Sequence, residues 1–225
     1  MNDTATNTRP QASTKVMLRR VAGYAGIAGP LFFVGCFLIQ EAVRRDEFDW
    51  IAEPVSALAI GPDGWIQNVN FVVLGLLTIP FAIGLQLGMA PSRGGLVGPI
   101  AMTISGVAPV LAATFPLQAD AAGETVYPAG HVAASTVFFL SSAVALVALS
   151  RRMLHDARWR SLATYALIAG GIGLACFVGM GTLVIPDDAP LHDWAGLLQR
   201  LIVVLVLFPC RIALAVRLVR TTQNA

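Results

Sequence analysis

The sequence predicts an all-α polytopic membrane protein: a bundle of six transmembrane helices with both termini in the cytoplasm. Three observations predict it. The 225 residues are 56% hydrophobic with a mean hydropathy of +0.71, and only 12% are charged. Soluble domains carry roughly 25% charged residues, and a single soluble core of this size cannot hide so much apolar surface. Six stretches reach the ~20 apolar residues that a helix needs to cross a bilayer. The basic residues then sort to one side of those stretches, as the positive-inside rule requires.

The six predicted spans are about Val21–Gln40, Val69–Met89, Gly95–Phe115, His131–Ser150, Ser161–Ile185 and Ala195–Val216. Each must be helical, because lipid offers no partner to a free backbone N–H or C=O. The first is too long and too polar at its end, Glu41-Ala42-Val43, for a cleaved signal peptide. Residues 1–19 read as a disordered cytoplasmic tail, 20–218 as the membrane domain and 219–225 as a second tail. Placing the N-terminus inside puts 12 of the 15 basic residues on or near the cytoplasmic face, Arg211 among them. It also puts 11 of the 13 acidic residues outside. Trp50, Trp65, Tyr127 and Trp194 fall at outer interfaces, and Tyr24, Trp159 and Tyr165 at inner ones. The expected location is the cytoplasmic (plasma) membrane.

Between the spans, residues 51–61 have the makings of a short helix in the membrane interface. Pro54 suits its first turn and Gly61 its end. The glycines of the fifth span suggest that this helix is central. Cys36, Cys176 and Cys210 are scattered through apolar runs and read as small hydrophobes. A net charge of +2 without a basic run speaks against nucleic acid as a partner. No phosphate-binding, nucleophile-elbow or dinucleotide fingerprint appears in a usable context, and no local histidine spacing supports a metal site. No cofactor is expected.

Candidate functional residues gather at the outer ends of the spans. His192, Gly196 and Arg200 have i, i+4, i+8 spacing, with Asp193 beside them. Arg200 must face the bundle, since an arginine facing lipid is costly. Its expected anion is Asp120, Glu124, Asp63, Glu53 or a lipid phosphate. His131 and Ser135 share a face of the fourth helix, and Gln67, Asn68 and Asn70 mark the start of the second. Two readings compete for each. His131 with Asp120 and Glu124 forms an acid–base set, or His131 bonds a loop carbonyl. Arg200 holds a ligand, or it pairs with one carboxylate and locks the bundle.

The run from Pro54 to Gly61 (PVSALAIG), then Asn70-Phe71, the run from Phe115 to Asp120 (FPLQAD), the run from His131 to Ser135 (HVAAS) and Leu198-Gln199-Arg200-Leu201 resemble the bacterial six-helix family known as domain of unknown function 998. They are distantly similar to the Frag1/DRAM/Sfk1 membrane family. The resemblance implies the six-helix fold and singles out Ser56, Asp120, His131 and Arg200. It implies no established activity.

The functional expectation is an outward-facing polar pocket that binds or transforms a lipid or isoprenoid-like molecule. His131, Asp120 and Glu124 are the candidate catalytic residues. Arg200, His192, Asp193, Ser56 and Asn70 are the candidate binding residues. The alternative is a non-enzymatic membrane protein that modulates a protein partner or an envelope stress response. A small transporter ranks lower, because the inner half of the bundle shows almost no charge.

Overall fold

The computed structural model describes residues 9–121, 125–186 and 188–223. The chain is 77% helical, and six helices are long and apolar enough to cross a membrane. They are α1 (Arg9–Val43), α2 (Gly64–Gly88), α3 (Val97–Thr114), α4 (Ala129–Met153), α5 (Arg160–Leu183) and a sixth, composite span. That span runs from a 3-10 turn at His192–Trp194 through α6 (Ala195–Leu201) and a π-helical segment (Ile202–Leu207) into α7 (Phe208–Gln223). The six-helix membrane fold read from hydropathy is therefore the fold observed.

Several boundaries differ from expectation. Helix α1 starts at Arg9, before Val21, and runs past Gln40 to Val43. Helix α2 starts at Gly64, so Gln67, Asn68 and Asn70 lie on the helix itself. The segment expected as an interfacial helix is a 3-10 turn, Val55–Ala59, and all five residues are buried. It folds into the end of the bundle because its apolar residues find helix partners there and need not seek the interface. Gly61 follows with φ +87°, a conformation glycine adopts without steric cost. The connection from α3 to α4 carries a two-stranded antiparallel hairpin, Gln118–Ala119 with Thr125–Val126.

Helix α5 is peripheral, not central. Its most apolar window is the least buried of the six spans. Gly170 and Gly173 do pack closely on Ala143 and Val147 of α4, but Gly171, Gly179 and Gly181 face open space. Counting glycines missed that only one face of this helix is used. The core runs instead through Phe37, Leu74, Phe81, Leu85, Met102, Leu146, Leu149, Leu214 and Leu218, drawn from α1 to α4 and α7.

One end of the bundle is closed by a clasp. The last turn of α2 leaves carbonyls without intrahelical partners. Arg152, buried at the end of α4, donates from Nη2 to Gln86 O (3.2 Å) and Met89 O (2.8 Å), from Nε to Ala90 O (3.0 Å), and from Nη1 to the Gln86 side chain and Gly95 O. Trp159 Nε1 donates to Gly88 O at 3.3 Å. Asp156 accepts the Ala90 N–H at 2.8 Å and the Arg158 guanidinium at 2.8 and 3.1 Å. The Arg158 hydrogen bonds hold the Asp156 carboxyl at about 2, well below its ordinary value.

Candidate functional site

The opposite end of the bundle holds the candidate site. Here the loop from Arg44 to Asp63 is strapped to three helices. The first N–H groups of α6 lack intrahelical acceptors, and the loop supplies them: Gly196 donates to Ala52 O (3.1 Å) and Leu197 to Ile51 O (2.9 Å). Gly196 is required for that approach, since a Cβ there would meet the Glu53 carbonyl and lie 2.7 Å from Trp50 O. The Val55 N–H donates to Gln199 Oε1 at 2.9 Å. Arg44 Nη1 donates to Leu58 O at 3.0 Å.

Arg200 points inward, as its cost in lipid demands. Its anion is Glu41, at the end of α1, and not one of the acids named from the sequence. Arg200 Nε and Nη2 donate to Glu41 Oε1 at 2.8 and 2.6 Å, and Nη1 donates to Glu53 O at 2.9 Å. The guanidinium also lies 5.7 Å from the Phe48 ring centroid. Glu53 itself sits beside the pair. Burial and the neighbouring Asp49 carboxylate raise its pKa, and Arg44 and Arg200 oppose the rise. Tyr127 is pushed up to about 12, first by burial and then by the Glu53 charge.

His131 is buried at the start of α4, and its Nδ1 lies 3.2 Å from both Ala112 O and Phe115 O. Two carbonyl acceptors assign the proton to Nδ1 and leave a lone pair on Nε2. His131 thus bonds one carbonyl in the last turn of α3 and one just after it. Asp120 is exposed at the hairpin and is not a hydrogen-bond partner of His131. Glu124 lies outside the described residues.

His192 and Asp193 sit in the 3-10 turn and are exposed. His192 Nδ1 bonds to Val184 O at 3.1 Å. The change from 3-10 to α geometry after Trp194 takes them off the face that Gly196 and Arg200 share, which an unbroken helix would not have done.

Asn70 belongs to a buried amide network. Gln67 Oε1 accepts from Gln40 Nε2 at 2.9 Å and from Asn70 Nδ2 at 3.2 Å, and Asn70 Nδ2 also donates to Phe33 O at 3.1 Å. Gln67 Nε2, Asn70 Oδ1 and His131 Nε2 have no partner among the described residues.

Between these groups opens a narrow cleft, partly open to the surroundings. Its walls are mostly apolar, with Phe33, Phe37, Phe71, Phe138, Phe139 and Val203 prominent. Phe33 stacks edge-on against Phe37 and Phe208, with centroids 5.7 and 5.8 Å away. Ser56, Ser135, Gln199 and Arg200 supply the polar part of the lining. Of the expected binding residues, Ser56 and Arg200 therefore line the cleft, Asn70 lies buried outside its lining, and His192 and Asp193 are exposed.

Sequence reasoning missed Glu41 and Gln199 as site residues. Glu41 had a readable signal: continuing α1 by one turn puts it four residues after Phe37, on the face that enters the bundle. Gln199 lies in the quoted run from Leu198 to Leu201, but only Arg200 of that run was singled out. Arg211 was placed on or near the cytoplasmic face; it is buried within the bundle at 1% exposure. It shares a stripe with Leu207, Leu214 and Leu218, which are buried as well.

Fold and site together define a multi-pass membrane protein with a phenylalanine-walled cleft between its helices, lined in part by Arg200 of a buried ion pair. The chain belongs to the family described as Protein of unknown function (DUF998), whose model matches residues 27–216. No curated protein and no solved structure matches it.

Proposed function

We propose that the cleft binds a lipid or isoprenoid-like molecule with an uncharged polar end, and that the end of the bundle bearing the Arg200–Glu41 pair faces away from the cytoplasm. One observation carries the reading: a largely apolar, phenylalanine-walled cleft is bounded by Ser56, Gln199 and Arg200. Small-molecule sites are concave and mostly apolar, with a few placed polar groups. Phenylalanine walls favour a branched or planar hydrocarbon. Glu41 already neutralises Arg200, so the complementary polar group is a hydroxyl or carbonyl and not a phosphate. Gln199 spends its carbonyl on Val55 N–H, which leaves its amide donors for the ligand. His131 is a positioning residue here: through Ala112 and Phe115 it fixes the start of α4 against the end of α3. The orientation rests on the distribution of arginines between the two ends.

The test is thermal unfolding of the purified protein with and without farnesol. A ligand that binds only the folded state stabilises by about 2.7 kcal/mol at a hundredfold excess over Kd. Farnesol is expected to raise Tm, and farnesyl phosphate to do so less. Ala134→Phe, which fills the cleft from α4, is expected to abolish the shift. An equal shift in that variant, or none in the natural protein, refutes the reading.

A further inference from the structure

A second concavity lies on the other face of α1. It is an open groove of about 440 Å³, and it shares no lining residue with the cleft. Phe32, Gly35, Cys36, Ile39, Val43 and Ile66 form its apolar bed. Ile39 and Val43 are 66% and 79% exposed, so this surface meets lipid. At Gly35 a Cβ would touch nothing within 4 Å, which leaves the groove open at its middle. From Phe32 to Arg44 the groove follows α1 for about 18 Å at 1.5 Å per residue. That is about one leaflet of a hydrocarbon core ~30 Å thick.

Two opposite charges stand at the rim. Arg44 and Asp63 both line the groove, and each is the residue next to a membrane span: one follows Thr14–Val43 and the other precedes Gly64–Gly88. Both therefore sit where the hydrocarbon ends and headgroups begin. Arg44 is held in place by Leu58 O at 3.0 Å and by the Phe48 ring, 5.9 Å from its guanidinium carbon. Its Nε and Nη2 make no hydrogen bond, and it forms no ion pair with Asp63, among the described residues. The neighbouring Arg45 faces Asp46 at 3.7 Å, both well exposed. The rim thus offers one fixed cation and one anion, set apart, at headgroup depth.

We infer that this groove is a binding site for a zwitterionic phospholipid with a primary ammonium, of the phosphatidylethanolamine type. The phosphate meets the free edge of the Arg44 guanidinium through charge-assisted hydrogen bonds. The ammonium donates to the Asp63 carboxylate, and an acyl chain lies over Gly35. A quaternary ammonium cannot donate that hydrogen bond, and a glycerol headgroup brings no cation to Asp63. The site therefore discriminates among headgroups as well as accepting a tail.

The full-length protein is reconstituted in nanodiscs of equal parts phosphatidylethanolamine, phosphatidylcholine and phosphatidylglycerol, and the lipids it retains are read by native mass spectrometry. Phosphatidylethanolamine is expected at about threefold enrichment over either competitor, a ratio that corresponds to well under a tenfold affinity step. Asp63→Asn, an exposed change beyond the helix start, should bring phosphatidylethanolamine down to the phosphatidylcholine level. Gly35→Leu should lower retention of all three lipids. Retention that follows the bulk composition, enrichment of phosphatidylglycerol, or enrichment that survives Asp63→Asn overturns the assignment.

Discussion

Arg200 and Glu41 meet at 2.6 Å with their side chains only 8% and 13% exposed, joining the last turn of α1 to α6 across 159 positions of sequence. Removing one member of a buried pair leaves the other charge unpaired, at a cost of roughly 3–5 kcal/mol, whereas replacing both with apolar groups is often near neutral. Glu41→Ala and Arg200→Ala should each lower the unfolding midpoint sharply. The double variant Glu41→Met/Arg200→Met should be clearly milder than either, as measured by chemical unfolding in detergent. Additive losses in the double variant would show that the two side chains do not act as a pair.

Arg152 satisfies the C-terminal carbonyls of α2 from another helix. Lysine keeps the charge but not the planar fork that reaches several acceptors at once. Arg152→Lys should therefore cost roughly 1–3 kcal/mol, the range for leaving buried polar groups unsatisfied. An unfolding midpoint unchanged by this substitution would show that the carbonyls are served in some other way.

Asp156 gives the clasp a pH dependence. Its carboxyl is held at about 2 in the folded protein, below the ordinary value near ~4. A depressed carboxylate contributes stability that is complete above the ordinary value and is lost as pH falls toward the folded one. Stability should decline between about pH 4 and pH 2, and Asp156→Asn should flatten that part of the curve. Parallel curves for the two proteins would exclude Asp156 as the source.

Among the described residues the buried Arg211 makes one side-chain hydrogen bond, from Nη2 to Thr78 Oγ1 at 2.6 Å, and Thr78 passes it on by donating to Leu74 O at 2.7 Å. Arg211 Nε and Nη1 have no partner among the described residues. Thr78→Val should cost roughly 1–3 kcal/mol by stripping that bond from a buried cation. In an Arg211→Met background the same change should cost far less. The double-mutant cycle reads the difference directly.

The membrane fold was legible because the bilayer imposes it: hydropathy and span length depend on local composition, and six spans emerged from each. Which helix is central was not legible, because three of the five α5 glycines, Gly171, Gly179 and Gly181, lie on its open face and only Gly170 and Gly173 on its packed one. At the site, an inward Arg200 followed from the cost of burying charge in lipid. Its partner did not, because pairing positions 41 and 200 is a tertiary fact. His192 was misplaced for a local reason, the 3-10 turn that resets the helical phase before Ala195. Arg211 escaped because its place near the inner end of the sixth predicted span suits a cytoplasmic anchor, while the stripe it belongs to is a core stripe.

Mapping where a ligand touches tests the central claim most directly. A photoactivatable farnesol analogue, crosslinked to the purified protein and located by peptide mass spectrometry, is predicted to label Phe33, Phe71 or Phe138 and their neighbours on the cleft wall. It should fail to label them after Ala134→Phe. Labelling confined to outward residues such as Leu31, Ile83 and Leu205 would contradict the account.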